Sequence, residues 1–240
     1  MNLIHGINSG FNSDFRYLTY FNKFVNGVDL PIYGGSKEFT GIKENYDVSN
    51  ETINYNGVVY PAKSFKLKNS GNIWIAQQNI RYYGTISVEC IFKTNEQSSY
   101  IWLYGRTPTN DHSFEIAFAS DVYDFNCIAL RYKDNNAGSN IITNLTLIED
   151  DIYKTYKIED SNNNSKHFAV IYDKDNDNTR LYYNGNLIAT ITKFEYFRTF
   201  NISPRYDDKL SITQLAVWNG DKSVNSGNNY PLPTSPYRNI

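Results

Sequence analysis

Three aromatic residues at alternate positions, Tyr100, Trp102 and Tyr104, carry the clearest chemistry in the sequence. In an extended strand alternate side chains share a face, so the three fall together while Ile101 and Leu103 fall on the opposite side. Arg106 follows at once, and Asn110, Asp111 and His112 fill the adjoining loop. Flat aromatic rings stack on the C–H surfaces of pyranose rings, and Asn, Asp and Arg side chains hydrogen-bond hydroxyls. Tyr100, Trp102, Tyr104, Arg106, Asp111 and His112 are therefore the candidate ligand-binding set, with a carbohydrate or cell-surface glycan as the partner. The assignment turns on one choice. If Ile101 and Leu103 face the core, the aromatics form a surface stripe; in the opposite arrangement Trp102 is itself core. Trp74, Tyr82 and Tyr83 form a second aromatic group, read as cover for a sheet edge, and Trp218 is read as structural.

Other constellations carry less. Asp173, Asp175 and Asp177 alternate like the first oxygens of a calcium loop, but the sixth position is Asn178 rather than Gly and the twelfth is Asn184 rather than Glu. A plain hairpin tip is expected there. His5, His112 and His167 show no ligand spacing, and Cys90 and Cys127, each in a strand-like run, match no zinc pattern. Those two cysteines read as buried thiols, with a disulfide as the alternative. There is no Ser or Cys nucleophile motif and no Gly-rich phosphate loop. No catalytic residue, metal or cofactor is expected.

The elements that must position these groups follow from composition and pattern. The 240 residues include 21 Tyr and 32 Asn against one Met, and 16% are aromatic. Tyr and Thr favour strands while Asn and Gly favour turns, so an all-β chain with many loops is expected rather than a helical bundle or a disordered polymer. Residues 85–93 alternate cleanly, with Ile86, Val88, Cys90 and Phe92 on one face and Ser87, Glu89 and Lys93 on the other. That pattern predicts a strand with one buried side. Strands are also expected at 100–104, 113–119 and 126–133. Residues 167–173, 179–184 and 187–192 form a three-strand meander, its second turn the Asn184-Gly185 pair that favours type I′ geometry. Within it Tyr172 and Tyr183 share parity with core positions. A long strand over 210–218 closes the series, and from Asn219 the tail is rich in Gly, Ser, Asn and Pro.

The first 45 residues differ. They read as an N-terminal arm, and Phe15, Leu18, Phe21 and Val25 at spacings of three and four predict a short helix over 14–25 capped by Asp14. The arm either covers the edge of a domain over 46–240 or docks it onto something larger. Twenty-three basic and 25 acidic residues give a net charge of −2, so no general attraction for phosphate backbones exists and nucleic acid is not expected as a partner. No run reaches the ~18 apolar residues of a membrane span. Residues 1–11 lack the basic start and apolar stretch of a Sec signal. Four Asn-x-Ser/Thr sequons, at Asn50, Asn144, Asn163 and Asn201, are what so many Asn produce by chance.

Three stretches carry a family resemblance. His-Phe-Ala-Val-Ile-Tyr-Asp at 167–173 resembles the "HVAVTYD" strand of the laminin G and concanavalin A-like lectin/glucanase family. Thr-Arg-Leu-Tyr-Tyr-Asn-Gly-Asn-Leu-Ile-Ala-Thr at 179–190 resembles its "VKLYVNGVLVAT" hairpin, and residues 210–219 resemble its closing "IDEVRIWN" strand. Residues 85–94 resemble its early "ISISLWFKT" strand. The resemblance implies an antiparallel jelly-roll β-sandwich over 46–240, concanavalin A-like or laminin G-like, with an irregular N-terminal arm. It departs from the family at Ser165 and Lys166, where a Trp commonly opens the strand, and at Thr213 and Gln214, which replace an acidic pair. Relatives that hydrolyse glycosides carry carboxylates at alternate positions of one strand. Here the nearest match, residues 114–119, has only Glu115, and Glu149, Asp150 and Asp151 sit at a strand end. The resemblance thus implies a non-catalytic lectin-like module. Asn- and Tyr-rich chains of this kind also resemble virion components of phages infecting low-GC bacteria. That likeness implies a virion or other extracellular surface without Sec export, with the arm joining other virion proteins. In the alternative reading the sandwich is a rigid block and the protein is structural.

Overall fold

The computed structural model describes residues 15–20, 39–43, 46–67, 73–77, 84–94, 101–106, 112–119, 127–132, 141–143, 145–150, 154–158, 165–192, 199–204 and 209–234. The described elements are strands arranged in two antiparallel sheets, the all-β architecture that the pattern predicted. The first sheet runs in the order β10 (Ile141–Thr143), β15 (Asn186–Ile191), β14 (Asn178–Tyr183), β13 (Lys166–Asp173), β6 (Ile86–Thr94), β17 (Lys209–Asn219), β4 (Val58–Leu67) and β3 (Tyr46–Tyr55). The second runs β11 (Thr146–Asp150), β12 (Lys154–Ile158), β9 (Cys127–Tyr132), β8 (His112–Ala119), β7 (Ile101–Arg106), β16 (Thr199–Pro204), β5 (Ile73–Gln77) and β2 (Phe39–Lys43).

The meander forms as its turn chemistry requires. Asn184 and Gly185 have φ of 46° and 79°, both in the left-handed region that a type I′ turn needs. Asn56 and Gly57, at 49° and 79°, repeat the device between β3 and β4. At the Asp173–Asn178 tip, Asp173 accepts from Asn176 N and Nδ2 at 3.1 and 2.9 Å, closing an Asx-type turn. The hairpin expected at the three alternating aspartates is thus present.

One face of the first sheet supplies the inter-sheet core. Cross-strand register aligns Ile86 with Tyr172, Val88 with Val170 and Cys90 with Phe168, and Leu181 and Tyr183 continue the rows into β14. All are buried, Tyr172 and Tyr183 included, as their parity predicted. Cys90 is a free thiol here, and burial, followed by the charge of Glu89, pushes its pKa well up.

Two expectations are corrected. Residues 86–94 do not form a strand with one wet side: Ser87, Glu89 and Ile91 are as buried as the residues between them. The second face is covered by the tail, which folds back over the sheet as a strap across residues 220–234. Leu187 N donates to Asn228 O, Tyr230 N to Gly185 O and Tyr60 Oη to Pro233 O. Tyr230 and Pro233 are buried beneath it, with Tyr230 packed on Ala169, Ile171 and Tyr182.

The second correction concerns residues 14–25, where no helix forms over the described part. Phe15–Tyr20 is a strand, β1, paired with β17 from Phe15↔Trp218 to Tyr20↔Gln214. The i, i+3 and i+4 apolar spacing fitted a helix, but Phe, Tyr and Thr dominate these six residues and suit a pleated surface. A vacancy in the sheet decides between them. The β4 partner pairs only with Lys209 to Ile212 of β17, and β1 takes the same edge from Gln214 onward. Asp14 and residues 21–25 lie outside the described residues. Both β1 and β2 fall within the span read as the arm.

Candidate functional site

The second sheet separates two kinds of side chain by register alone. Ile101 pairs with Phe118 and Pro204, and Leu103 with Ile116 and Ile202; these rows run on into Ile128 and Leu130 of β9, then Tyr156 and Ile158 of β12. Leu130 and Ile158 are buried, and so is Thr155 at the alternate parity of β12. Trp102 and Tyr104 occupy positions alternate to Ile101 and Leu103 and therefore share the other parity of β7.

Along that parity the register aligns aromatic and polar positions. Trp102 stands between Ser203 and Ala117, and Ala129 follows Ala117 one strand further on. Tyr104 stands between Asn201 and Glu115, and Glu115 faces Arg131 across the next pair. Arg106 pairs with Thr199 on one side and His112 on the other. A break in register between Gly105 and Arg106 creates that last pairing. Without it Arg106 would oppose Ser113; the bulge adds a residue and brings His112 into line. His112 is thus the first residue of β8 and not a loop residue, a third correction. Tyr100 and Asp111 lie outside the described residues.

Tyr82 and Tyr83 lie outside the described residues. Trp74 lies in β5, next to the edge strand β2, and pairs with Asn201 in the same row as Tyr104. Its parity with Ala76 in a short strand was the available signal, but only the register of β16 shows which face it shares.

A second polar cluster lies between the first sheet and the strap. Trp218 Nε1–H donates to Glu89 Oε1 at 2.7 Å, and Glu89 Oε2 sits 3.0 Å from His167 Nε2. The rings of His167 and Tyr230 are 5.4 Å apart. Burial, then the charge of Glu89 and a hydrogen bond to it, drive the Tyr230 pKa well up. His167 Nδ1 is buried without a hydrogen-bond partner. Trp218 is therefore structural, as its place in the closing strand suggested.

Beside this cluster Arg180 joins sheet to strap. Its Nη2 donates to Asp173 Oδ2 at 2.7 Å and to Asp221 Oδ2 at 2.5 Å; its Nη1 donates to Tyr182 Oη at 3.2 Å and Ser223 Oγ at 3.1 Å. Tyr182 Oη passes its own proton to Gly227 O at 2.8 Å. For Asp221, burial acts to raise the pKa, but hydrogen bonds from Ser223 and Arg180 outweigh it and lower the value. These carboxylates are committed to holding the strap: Asp173 is spent on Arg180 and Asn176, and both oxygens of Glu89 are occupied. The geometry of this cluster suits cohesion.

No protein-family model matches the chain, and comparison with curated proteins finds no match. Solved structures do resemble it. A point mutant of HCR D/C VPI 5995 superposes with a TM-score of 0.50 at 11% identity, over 88% of this chain and 50% of that one. The binding domain of botulinum neurotoxin serotype D gives 0.49 at 14%, over 90% and 50%. Domain 4 of AbnA, an extracellular arabinanase from Geobacillus stearothermophilus, gives 0.46 at 13%, over 89% and 96%. The chain spans about half the length of the first two. At such identities the likeness concerns fold alone: the chain is an antiparallel β-sandwich of two sheets.

Proposed function

We propose that this domain is a non-catalytic lectin-like module that binds a glycan on the face of the second sheet turned away from the core. Trp102 and Tyr104, with Tyr100 two residues earlier in the sequence, supply the stacking platform, while Arg106, Asp111 and His112 supply hydroxyl recognition. One observation carries this reading: register sets Ile101 and Leu103 in rows with the buried Leu130 and Ile158, leaving Trp102 and Tyr104 for the opposite face. Glu115 stands in register with Arg131, and no second carboxylate of its strand accompanies it, which favours binding over hydrolysis.

Screening the purified chain against a glycan array and cell-wall polysaccharides tests the reading. Binding should appear and fall about tenfold or more in Trp102→Ala and Tyr104→Ala, the loss of a ring contact worth ~1 kcal/mol or more. Binding that survives both changes removes this face from consideration. Hydrolysis of a bound glycan that disappears in Glu115→Gln would instead make the protein an enzyme. The Asn- and Tyr-rich composition supports a finer proposal, that the module sits on a phage virion or other extracellular surface and contacts neighbouring virion proteins through residues 1–45.

A further inference from the structure

We infer that Asn56 is a site of spontaneous covalent modification, cyclisation to a succinimide followed by opening to aspartate and isoaspartate, and that the strap shields Asn184 from the same reaction. The chemistry needs only an Asn-Gly step and water. The backbone nitrogen of Gly57, its proton given up to solvent, attacks Cγ of Asn56. The new N–Cγ bond closes a five-membered ring as the Cγ–Nδ2 bond breaks, and Nδ2 takes up a proton and leaves as ammonia. Water then adds to one of the two ring carbonyls and cleaves its bond to the ring nitrogen. Attack at Cγ gives aspartate; attack at the main-chain carbonyl gives isoaspartate, whose backbone is longer by one methylene. Glycine in the second position presents no Cβ to obstruct the approach.

The sequence holds four such steps, beginning at Asn26, Asn56, Asn184 and Asn219, of which the first lies outside the described residues. At Asn219 the attacking nitrogen is engaged, for Gly220 N donates to Thr85 O at 2.9 Å. At Asn184 the carboxamide is held: its Oδ1 accepts from His167 N at 2.9 Å and from Tyr55 Oη at 3.5 Å. Gly185 is buried under the strap, where Leu232 Cδ2 and Tyr230 O stand 3.0 and 3.1 Å from the position a Cβ would take. Asn56 and Gly57 are both exposed, and nothing stands within 4 Å of the corresponding position on Gly57. The Asn56 side chain hydrogen-bonds to the phenol of Tyr55, a partner on its own hairpin. Asn56 and Asn184 have the same left-handed backbone, with φ of 49° and 46°. The ring does not close in that tight turn geometry, so each Asn reacts only when its turn opens, at a rate set by the opened population. Opening at Asn56 disturbs the exposed tip of a hairpin at the end of the sheet order, whereas opening at Asn184 must also lift the strap.

Incubating the full chain near neutral pH and mapping its peptides over time by mass spectrometry tests this. Asn56 should gain ~1 Da as a mixture of aspartate and isoaspartate, at least about tenfold faster than Asn184. Arg180→Met, which loosens the strap, should raise the rate at Asn184 about tenfold while changing Asn56 less than about twofold. Should that variant fail to fold, Asp221→Asn loosens the same strap. Equal rates at Asn56 and Asn184 in the parent chain would overturn the assignment, as would an Asn56 that stays intact while a free peptide of residues 52–60 converts fully. A rate at Asn184 that neither Arg180→Met nor Asp221→Asn raises would overturn the shielding.

Discussion

Replacing Arg180 with Met tests whether the strap is held by charge. Arg180 is almost fully buried, and Asp173, its 2.7 Å partner, has a side chain only 2% exposed. The Met side chain keeps the aliphatic stem but leaves Asp173 as a buried carboxylate with only Asn176 for support. Stranding one member of a buried pair costs about 3–5 kcal/mol, and the two Asn176 bonds place this case toward the lower end. Asp221, whose side chain is 36% exposed, returns to solvent at a cost of at most about 1 kcal/mol. A loss of ~3–4 kcal/mol overall corresponds to a Tm lower by about 10 °C for a chain of this size. Asp173→Asn should cost less alone, because Arg180 keeps Asp221, and the double variant should cost ~2 kcal/mol less than the sum, because no buried carboxylate is then stranded. Urea denaturation of the four proteins measures all three terms, and glycan binding below the transition should be unchanged because the proposed face lies on the other sheet. A loss under 1 kcal/mol for Arg180→Met, or strict additivity in the cycle, would refute the argument that this cluster fastens the strap.

Three further outcomes follow from the same cover. Trp218→Phe keeps the ring but removes the donor to Glu89 Oε1; unfolding by denaturant should show a loss of about 1.5–3 kcal/mol, and an unchanged midpoint would mean that the carboxylate is satisfied some other way. Asp221 has a folded pKa below its ordinary value, so its stabilising contribution is present above the unfolded value near pH 4 and fades as pH falls through the lower folded one. Protection factors at residues 220–230, corrected for the slower intrinsic exchange in acid, should fall below about pH 4 in the parent protein, and Asp221→Asn should show the lowered protection already at pH 7. Deleting residues 1–43 removes β1 and β2 and bares the edge of β17 from Gln214 to Trp218. Thermal melting and gel filtration should then show a less stable, self-associating chain, whereas an unaltered monomer would show the segment dispensable to the sandwich.

What the sequence discloses, and what it conceals, follows from one limit: alternation reports that a strand has two faces without saying what lies against either. In β6 the polar parity of Ser87, Glu89 and Lys93 looked solvated, yet Glu89 is buried because a segment more than 100 residues later returns over it. The polar tail gave little warning, since its burial depends on a few residues, Tyr230 and Pro233 among them, set in a stretch of turn formers. In β7 register sets Ile101 and Leu103 in rows with Leu130 and Ile158, a relation that alternation alone does not supply. The local signals, by contrast, were sufficient wherever the structure itself is local: Asn184-Gly185 turns its hairpin, and Tyr172 and Tyr183 pack where their parity sends them. Trp74 shows the cost of lacking register, for it stands some thirty residues from Tyr104 in the chain and two strands from it in the sheet. The first sheet spends its polar parity on holding its own cover, through Glu89 and Arg180, while the proposed recognition residues belong to the second. A substitution that loosens the strap should therefore cost stability and spare recognition, and one in the aromatic rows should do the reverse.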